Sequence, residues 1–371
     1  MSISAKNKYY LKRILPFGII WLSIALLIMW SQYAVNPEQI EIIESDVPLT
    51  FEIVIFASVS IFLVGCIVGC IEVFIVNKLF IRQSFPKKII GKLLLYTLVL
   101  SVLVLILYLL AASIVSNASM FSKKIWGEYV AFFLSITHIS TWIQLLFSLL
   151  ASLLYAEVSE NLGQNILYNF FTGRYHRPVD ENRIFMFVDM KDSTTIAEKL
   201  GHKTYFKLLR DYYRSFSDAI IKNYGEVYQY VGDEIVITWK LDNGLKNNRC
   251  IQCFFEMKDA LKKQEDTFNR KYNSLPDFKA ALHFGQVTTG EIGALKKDIF
   301  FTGDVLNTTA RILGLTTELK EDLLISEPLS RKLEFSDNYS IKDLGTKALK
   351  GKTQSIKIFA IHHMKKVDTD F

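Results

Sequence analysis

The stretch Ile184-Phe185-Met186-Phe187-Val188-Asp189-Met190-Lys191-Asp192-Ser193-Thr194 decides the fold of the C-terminal half of the chain. It opens as an apolar run rich in Phe and Ile, which predicts a buried strand. The run stops at the carboxylate of Asp189, and Ser193 then offers an N-cap for a helix that reaches Leu200. A carboxylate between a buried strand and a helix start can hold a hard cation beside phosphates, although an isolated Asp there is more often simply solvated.

The region after Pro178 alternates between strand and helix patterns. Strands are predicted at 183–188, 226–231, 234–239, 278–284, 287–292, 299–301, 323–326, 339–343 and 355–361, and helices at 193–200, 203–224, 247–270 and 304–315. Gly232-Asp233 is a two-residue hairpin signal, and a second hairpin is expected between 278–284 and 287–292. The pattern predicts one α/β sandwich domain.

The first hairpin supplies a second carboxylate. Asp233 follows Gly232 at the tight turn, where a side chain would be presented at the edge of the sheet. If this hairpin pairs beside the 183–188 strand, Asp189 and Asp233 converge at one end of the sheet. Two such carboxylates with room for phosphate oxygens suit two Mg²⁺ or Mn²⁺ ions, whereas a hairpin Asp alone is usually only a turn residue.

The N-terminal half has a different composition. The 371-residue chain is 50% hydrophobic, too apolar for an ordinary soluble protein, and the excess lies in its first part. Four segments are long enough to span a bilayer: Leu15–Ala34, Phe51–Val76, Leu93–Ser116 and Tyr129–Tyr155. The net charge of +6 sits largely beside these segments, which favours membrane topology over binding of nucleic acid.

The charged flanks predict the orientation. Basic residues precede the first segment and fill the loop between the second and third (Lys6, Lys8, Lys12, Arg13; Lys78, Arg82, Lys87, Lys88, Lys92), whereas the first outer loop is acidic. The positive-inside rule then places the N-terminus and the C-terminal half in the cytoplasm of a multi-pass protein of the cell inner (plasma) membrane. His138 is the ionisable side chain far from any span end, and a neutral, hydrogen-bonded histidine is favoured there over a ligand site.

The junction from Ala156 to Asp180 carries one apolar stripe. Val158, Leu162, Ile166 and Phe170 recur at helical spacing before Gly173 and Pro178 end the helix. Such a helix would pair with its copy in a second chain or pack on its own domain, and the sequence favours neither. The expected domains are therefore 1–155 in the membrane, a linker at 156–180 and the α/β domain at 181–371.

The four cysteines indicate a reducing compartment rather than a disulfide framework. Cys66 and Cys70 lie inside an apolar segment, where a thiol behaves as a small hydrophobe. Cys250 and Cys253 have CxxC spacing, but no second pair completes a zinc site, so buried thiols on a helix face are expected.

Five motifs in the C-terminal half resemble, in order, those of class III adenylyl and guanylyl cyclases. They are Phe187-Val-Asp189-Met-Lys-Asp-Ser-Thr194, Tyr230-Val-Gly-Asp233-Glu234, His283-Phe-Gly-Gln-Val-Thr-Thr-Gly290, Gly303-Asp-Val-Leu-Asn307-Thr-Thr-Ala-Arg311 and Leu349-Lys350-Gly351-Lys352. The resemblance implies a ferredoxin-like α/β sandwich, here behind an α-helical membrane domain of four transmembrane helices.

The resemblance also implies a homodimer that makes a cyclic 3′,5′-nucleotide at sites between subunits. Asp189, Asp233 and the backbone carbonyl of Met190 would hold two Mg²⁺ or Mn²⁺ ions in one subunit. Asn307 and Arg311 of the other subunit would orient the ribose and neutralise charge at the transferred phosphorus. Lys350 resembles the lysine that grips the β- and γ-phosphates.

Two departures from the family pattern concern the purine. Gln229 stands where adenylyl cyclases have Lys, and Phe300 stands where they have Asp or Thr; guanylyl cyclases typically carry Glu and Cys. The Gln amide both donates and accepts, so it suits adenine or guanine, while Asp298 and Thr302 share a face with Phe300 and would substitute for it. ATP is favoured over GTP because the guanylyl pair is absent.

Three functions are therefore compatible with the sequence. The favoured one is a membrane-anchored adenylate cyclase with ATP as substrate and the lipid bilayer as its second partner. Guanylate cyclase activity and a catalytically silent nucleotide-binding receptor domain are the alternatives. A transporter with a regulatory domain is disfavoured by the small number of spans.

Overall fold

The computed structural model describes residues 4–35, 51–80, 83–116, 119–162, 173–295, 297–336, 338–352 and 355–364. The chain divides into two compact units, one formed by Lys8–Tyr168 and one by Asn169–Phe371 with Met1–Asn7. Each unit has its own hydrophobic core. The linker positions Ile166 and Phe170 lie outside the described residues, so the expected pairing stripe stays a prediction.

The N-terminal unit is helical. Its helices are α1 (Ala5–Val35), α2 (Phe51–Ile71, continued by a π-helical turn Glu72–Val76 and a last turn Asn77–Leu79), α3 (Phe85–Ser116), α4 (Lys123–Phe133) and α5 (Ile136–Leu162). Within the described residues, four stretches are long and apolar enough to cross a membrane: Ala5–Ser31, Val54–Leu79, Phe85–Ile114 and His138–Asn161. The predicted number of spans is therefore confirmed by length and composition.

The expected fourth span is wrong in its bounds, because the segment Tyr129–Tyr155 is broken. Helix α4 ends at Phe133 and α5 begins at Ile136, with the hydroxyl of Ser135 accepting a bond from the backbone N–H of His138 (3.1 Å). His138 is buried, and its Nε2 accepts a bond from the Trp142 indole (2.8 Å). An Nε2 that accepts belongs to a neutral ring with its proton on Nδ1, as expected from the sequence.

Helices α1 and α2 approach closely where both carry glycine. A Cβ on Gly65 would lie 2.9 Å from the Cα of Gly18 and 2.9 Å from the Phe17 carbonyl oxygen. A Cβ on Gly69 would lie 3.0–3.1 Å from the Phe17 side chain, which is fully buried. Small residues at i and i+4 let helix backbones meet in an apolar solvent, where packing rather than hydrophobicity drives association.

The C-terminal unit is a mixed sheet with helices on both faces. Its strands are β1 (Val179–Met190), β2 (Glu226–Val231), β3 (Glu234–Lys240), β4 (Phe278–Ile292), β5 (Asp298–Thr302), β6 (Leu323–Ser326), β7 (Tyr339–Ala348) and β8 (Ser355–His363). Its helices are α6 (Ser193–Leu200), α7 (His202–Lys222), α8 (Leu241–Leu245), α9 (Arg249–Lys262), α10 (Glu265–Tyr272), α11 (Asp304–Leu319) and α12 (Glu327–Ser330). Over the described residues the strand order is β2-β3-β1-β4-β6-β8-β7, with β5 paired to β4.

Strand β1 divides the core into two layers, because successive side chains of a strand point to opposite faces. Ile184, Met186 and Val188 belong to the cluster that includes side chains of α7 and α9. Phe185 and Phe187 belong to the cluster that includes side chains of α11. The side chains on both faces of β1 are buried, which explains why the sequence there is continuously apolar rather than alternating.

The second expected hairpin is wrong. Residues 278–292 form one strand, which pairs with β1 in an unbroken register from Val179↔Thr289 to Met190↔Phe278. Gly285 does not turn the chain: a Cβ there would lie 2.6 Å from Val305, so the glycine makes room for α11. The real hairpin is one strand further on, where Gly290 pairs with Phe300.

Two smaller expectations also need correction. Ser193 is the first helical residue rather than the N-cap; Asp192 precedes it in a left-handed conformation (φ 53°), and the Ser193 hydroxyl bonds to Tyr205. The helix expected over 247–270 is split, because Gln264 (φ −103°) leaves the helical region and its carbonyl starts a new helix.

The CxxC cysteines behave as expected. Cys250 and Cys253 are completely buried on α9. Burial raises the pKa of the Cys250 thiol to about 12 and that of Cys253 well above its usual range. Such protonated thiols are packing groups, because metal binding requires the thiolate.

Arg183 joins three strands from a buried position. Its guanidinium donates to Glu181 (2.7 Å) and Glu226 (3.0 Å), lies 4.7 Å from the centre of the Phe301 ring, and is 2% exposed. We expect Arg183→Met to lower the free energy of unfolding of the C-terminal unit by about 3–5 kcal/mol, because two carboxylates lose a buried partner. Urea-dependent hydrogen exchange of the β1 and β3 amides in the full-length protein measures this free energy.

Arg331→Met is the matched control, since Arg331 pairs with Glu327 at the surface and its side chain is 75% exposed. That variant should change the free energy of unfolding by less than about 0.5 kcal/mol. Equal effects of the two substitutions would contradict the role given to burial.

Candidate active site

The pairing of β1 with β3 brings the two carboxylates together. The register runs from Arg183↔Lys240 to Val188↔Ile235, and β2 pairs with β3 up to Val231↔Glu234. The β2–β3 turn, Gly232-Asp233, therefore lies beside the end of β1, where Asp189 follows Phe187 on the α11 face. Gly232 has φ +62°, which explains why glycine opens this turn.

The carboxylates of Asp189 and Asp233 interact directly. Both side chains are half-buried. Burial raises the pKa of Asp189, the neighbouring Asp233 raises it further, and Lys279 opposes both. Glu234 belongs to the same electrostatic group: burial first, then Asp189 and Asp233, raise its pKa to about 7. The turn is thus a site of concentrated negative charge.

Lys279 is the cation nearest to this group in the described structure. It stands opposite Asp189 in the β1–β4 register, and its Nζ lies 3.4 Å from Asp189 Oδ2. The same ammonium donates to the Thr317 hydroxyl near the end of α11 (2.8 Å). Lys279 therefore balances part of the charge of Asp189 while being fixed from a second element.

Tyr213 anchors the turn from the opposite side. Its hydroxyl donates to the Gly232 carbonyl (2.9 Å) and lies 3.3 Å from the carbonyl of Glu234. Its ring packs against Tyr230 with centroids 4.6 Å apart. Burial and the charge of Asp233 raise the pKa of Tyr213, so the hydroxyl stays a donor to the turn.

The donor set fits a hard divalent cation. Two half-buried carboxylates this close together repel each other when both are ionised, and a cation between them relieves this repulsion; carboxylate oxygen is the ligand that Mg²⁺ and Mn²⁺ prefer. In the part of the chain that the structure describes, no group of three or more His, Cys, Asp or Glu side chains could hold an ion. An ion between Asp189 and Asp233 would therefore need further oxygens from backbone, water or a phosphate.

The second half of the predicted site lies along α11. Asn307 is exposed and Arg311, one turn later, is half-buried, so the two share a face of the helix. Arg311 reaches the 349–352 loop, where its Nη2 lies 3.7 Å from the position of a Cβ on Gly351. The structure thus brings Arg311 together with the loop that carries Lys350, an exposed side chain.

The loop is tied to α11 on both sides of Lys350. Leu349 is buried in the α11 layer of the core. Lys352 pairs with Asp304 and bonds to Thr308, both in the first turns of α11. His283 lies nearby, bonded to Ser326 (2.7 Å), and burial and Lys352 lower its pKa to about 4. This histidine is therefore neutral and structural.

The two halves of the site are separated along α11. Val305 packs on Gly285, whereas Thr317 bonds to Lys279 beside Asp189. At 1.5 Å per residue, Arg311 lies about 9 Å and Asn307 about 15 Å along the helix from Thr317. Within one chain, Asn307 and Arg311 thus belong to a different region of the α11 face from the Asp189–Asp233 pair.

A bulge in β2 determines which face of the sheet carries Gln229, the residue predicted to contact the purine. Val227 pairs with Ile237 but Gln229 pairs with Val236, so Tyr228 is the extra residue. Gln229 therefore shares the α11 face with Val236 and is exposed. Tyr228 packs on Phe301 (4.9 Å between ring centres), and the charge of Asp298 raises its pKa after burial does.

This contact places the β4–β5 hairpin beside the bulge. Phe300, next to Phe301 on β5, is 47% exposed. Asp298 is thereby near Tyr228, and Gln229 follows Tyr228 in the chain. The roles given to Gln229, Phe300, Asp298, Asn307, Arg311, Lys350 and the Met190 carbonyl stay predictions.

Sequence reasoning missed Lys279 and Tyr213. Lys279 lies on the predicted 278–284 strand, but nothing in the sequence indicates that this strand pairs with β1, and only that register places Lys279 opposite Asp189. Tyr213 carries no local signal, because its role depends on the packing of α7 against the β2–β3 turn.

Comparison with known proteins agrees with this geometry. Residues 175–363 match the family described as "Adenylate and Guanylate cyclase catalytic domain". "Adenylate cyclase 2" of Rhizobium meliloti (strain 1021) is 34% identical over 204 residues, which are 55% of this chain and 56% of that protein. "Adenylate cyclase" of Anabaena cylindrica is 29% identical over 184 residues, 47% of this chain and 36% of that protein.

A solved structure of a bacterial light-regulated adenylyl cyclase has the same fold. It superposes with a TM-score of 0.51 at 20% sequence identity, covering 63% of this chain and 67% of that chain. The chain covers 56% of the length of the first of these curated relatives, and it covers 27% and 36% of two others. Because the family match covers half of the chain, the chain belongs to the adenylate and guanylate cyclase catalytic domain family.

Proposed function

We propose that the protein is a membrane-anchored adenylate cyclase, which converts ATP to 3′,5′-cyclic AMP and pyrophosphate at the interface of a homodimer. The observation that carries the proposal is the half-buried Asp189–Asp233 pair at the end of β1. The curated relatives that match this half of the chain are adenylate cyclases. The four apolar helices and their basic flanks support an anchor in the inner membrane, with the N-terminus and the catalytic unit in the cytoplasm.

The separation of the two half-sites along α11 supports the homodimer. Substrate held by Asp189 and Asp233 of one subunit would lie near Lys279 and Thr317. From Thr317, the same subunit's Arg311 and Asn307 lie about 9 Å and about 15 Å away along α11. A second copy related by a two-fold axis presents its own Asn307 and Arg311 to that substrate. Each dimer then contains two equivalent composite sites.

Each of the predicted site residues would take one part in the reaction. Asp189 and Asp233, with the Met190 carbonyl, would hold two Mg²⁺ or Mn²⁺ ions, which when bound lower the pKa of the ribose 3′-hydroxyl and polarise the α-phosphate. Asn307 would orient the ribose for in-line attack. Arg311 would stabilise charge that develops at the phosphorus, and Lys350 would hold the β- and γ-phosphates.

The residue proposed to read the purine, Gln229, lies at the β2 bulge. Gln229 is exposed on the α11 face, and its amide would accept from the exocyclic amine of adenine and donate to N1. Phe300 would stack on the base. Asp298, which lies near Tyr228, would accept the hydrogen bond that the Asp or Thr of the adenylyl cyclase pattern accepts at position 300. Gln229 would also pair with guanine, so GTP is tested alongside ATP.

The first test identifies the product. Full-length protein in detergent, incubated with ATP or GTP and Mn²⁺, should form cyclic AMP in preference to cyclic GMP, as read by mass spectrometry. Asp189→Ala should reduce turnover at least about 100-fold because a cation ligand is lost. Asp266→Ala, which alters an exposed carboxylate on α10, should leave turnover unchanged.

Each other outcome has a definite meaning. Cyclic GMP as the main product would overturn the assignment of ATP. No turnover of either nucleotide with retained binding would favour a silent nucleotide-binding domain. Unchanged turnover in Asp189→Ala would reject the metal-dependent mechanism.

The second test concerns the shared site. Asp189→Ala and Arg311→Ala should each be inactive alone, but coexpression should restore roughly one quarter of the wild-type activity. Half of randomly formed dimers are mixed, and each mixed dimer keeps one intact site. Arg311→Ala coexpressed with Asn307→Ala should stay inactive, because both lesions fall in the same half-site; recovery there would contradict the composite arrangement.

The third test uses Lys279. Because its ammonium pairs with Asp189, it opposes a cation at the same carboxylate. We expect Lys279→Met to tighten Mn²⁺ binding about two- to fivefold, the scale of one partly exposed ion pair. Mn²⁺ titration followed by electron paramagnetic resonance measures the affinity.

Lys271→Met is the control for this titration, since Lys271 pairs with Asp211 elsewhere in the unit. Its Mn²⁺ affinity should equal that of wild type. Weaker Mn²⁺ binding in Lys279→Met would show that the lysine assists the cation rather than opposing it.

A further inference from the structure

A buried network of charged side chains joins all four apolar spans. Arg13 comes from α1, Glu72 and Asn77 from the end of α2, Lys88 and Lys92 from α3, and Glu157 and Glu160 from α5. Because successive spans run in opposite directions, these positions meet at one end of the helical unit. It is the end from which α5 leads toward the catalytic unit in sequence.

Lys92 is the centre of the network. Its side chain and that of Glu72 are each 2% exposed, and the two form an ion pair. Lys92 also donates to the Asn77 carbonyl oxygen Oδ1 (3.0 Å), and the Tyr96 hydroxyl donates to the second oxygen of Glu72 (3.1 Å). Lys92 was expected in the loop between the second and third spans; instead it lies on α3 and is buried.

Glu157 connects the network to α5. Lys88 lies 2.8 Å from Glu157 Oε2 and 2.9 Å from Oε1, and Lys92 lies 3.8 Å from Oε2. One turn later, Glu160 accepts two bonds from the Asn77 amide (3.0 and 3.1 Å) and lies 3.5 Å from Lys88. The last two turns of α5 are therefore held by charges from α2 and α3.

The α2 backbone is adapted to this network. The helix changes from α to π geometry over Glu72–Val76, just before Asn77. A π turn adds a residue to the helix and rotates the residues after it, and such turns are frequent at functional positions. Here Glu72, the first residue of the turn, and Asn77, the residue after it, both contact Lys92.

The stability of the helical unit does not by itself account for this network of charged side chains. Burying the carboxylates of Glu72 and Glu157 with two lysines costs desolvation energy, and well-packed apolar residues in their place are often neutral or stabilising. Ionisable groups inside membrane segments are by default candidates for function. What the network does fix is the position of the end of α5 relative to three other helices.

We propose that this network is a latch, which holds the exit helix α5 in one arrangement and thereby sets the output of the catalytic unit. The effect of the latch on turnover rests on the proposed cyclase function. Composite sites need both subunits in one alignment, so a loosened exit helix lowers the fraction of aligned dimers and the turnover number, with the KM for ATP unchanged.

The test is a double-mutant cycle in the full-length protein in lipid nanodiscs. Glu157→Gln and Lys88→Met each break the pair with little change in volume, and Glu157→Gln/Lys88→Met removes both charges together. We expect each single variant to exchange the amide hydrogens of residues 155–162 at least about tenfold faster and to lower kcat at least about threefold. The double variant should be no worse than either single one, because both act through one contact.

Lys12→Met is the matched control, a lysine at the same end of α1 that is exposed. It should change neither exchange nor kcat. Unchanged exchange in Glu157→Gln, or effects of the two single variants that add, would overturn the latch. Faster exchange with unchanged kcat would leave a structural clamp and overturn its control of output. Wild-type protein without cyclic nucleotide production would reject the proposed function while the exchange measurements still decide the clamp.

Discussion

The proximity of two like charges at the end of a buried strand is the constraint on which the catalytic unit depends. The charge of Asp233 raises the pKa of Asp189, so nothing in the pair itself keeps the two carboxylates together. The force comes from elsewhere: β1 is dry on both faces, its register with β3 is unbroken, and Tyr213 fixes the turn. Apolar packing thus holds an electrostatically unfavourable pair ready for a cation.

The same strand explains why the site is divided. Its even-numbered side chains pack toward α7 and α9, and its odd-numbered ones pack toward α11. The face that carries Asp189 is therefore also the face that carries α11, and Lys279 bridges the two by pairing with Asp189 and bonding to Thr317. Since α11 is rigid, this contact fixes Asn307 and Arg311 at a distance from Asp189. A helix that contributed these residues to its own chain's carboxylates would have to be shifted by two to three turns.

Much of this could be predicted from the sequence, because its strongest signals are local. The apolar run before Asp189 and the Gly232-Asp233 turn predicted a strand and a hairpin, and the structure meets the condition, left open by the sequence, that the two pair. The failures are places where tertiary contacts override local signals. Gly285 was interpreted as a turn residue, but its missing side chain admits Val305; Ser193 was interpreted as a cap, but its hydroxyl bonds to Tyr205. Lys88 and Lys92 were placed in a loop, because no local pattern reveals their carboxylate partners on other helices.

The two units solve a related physical problem in opposite ways. In the catalytic unit, charges of one sign are gathered at a half-exposed turn, and the imbalance makes the site receptive to a cation. In the helical unit, Glu72, Glu157 and Glu160 meet Lys88, Lys92 and Arg13, so the charges balance and leave little demand for an external ion. A balanced buried network binds its own helices rather than a ligand, and its strength depends on geometry because every partner is shared. Small shifts of one helix therefore cost several contacts at once, which makes such a network suited to two discrete arrangements rather than gradual adjustment.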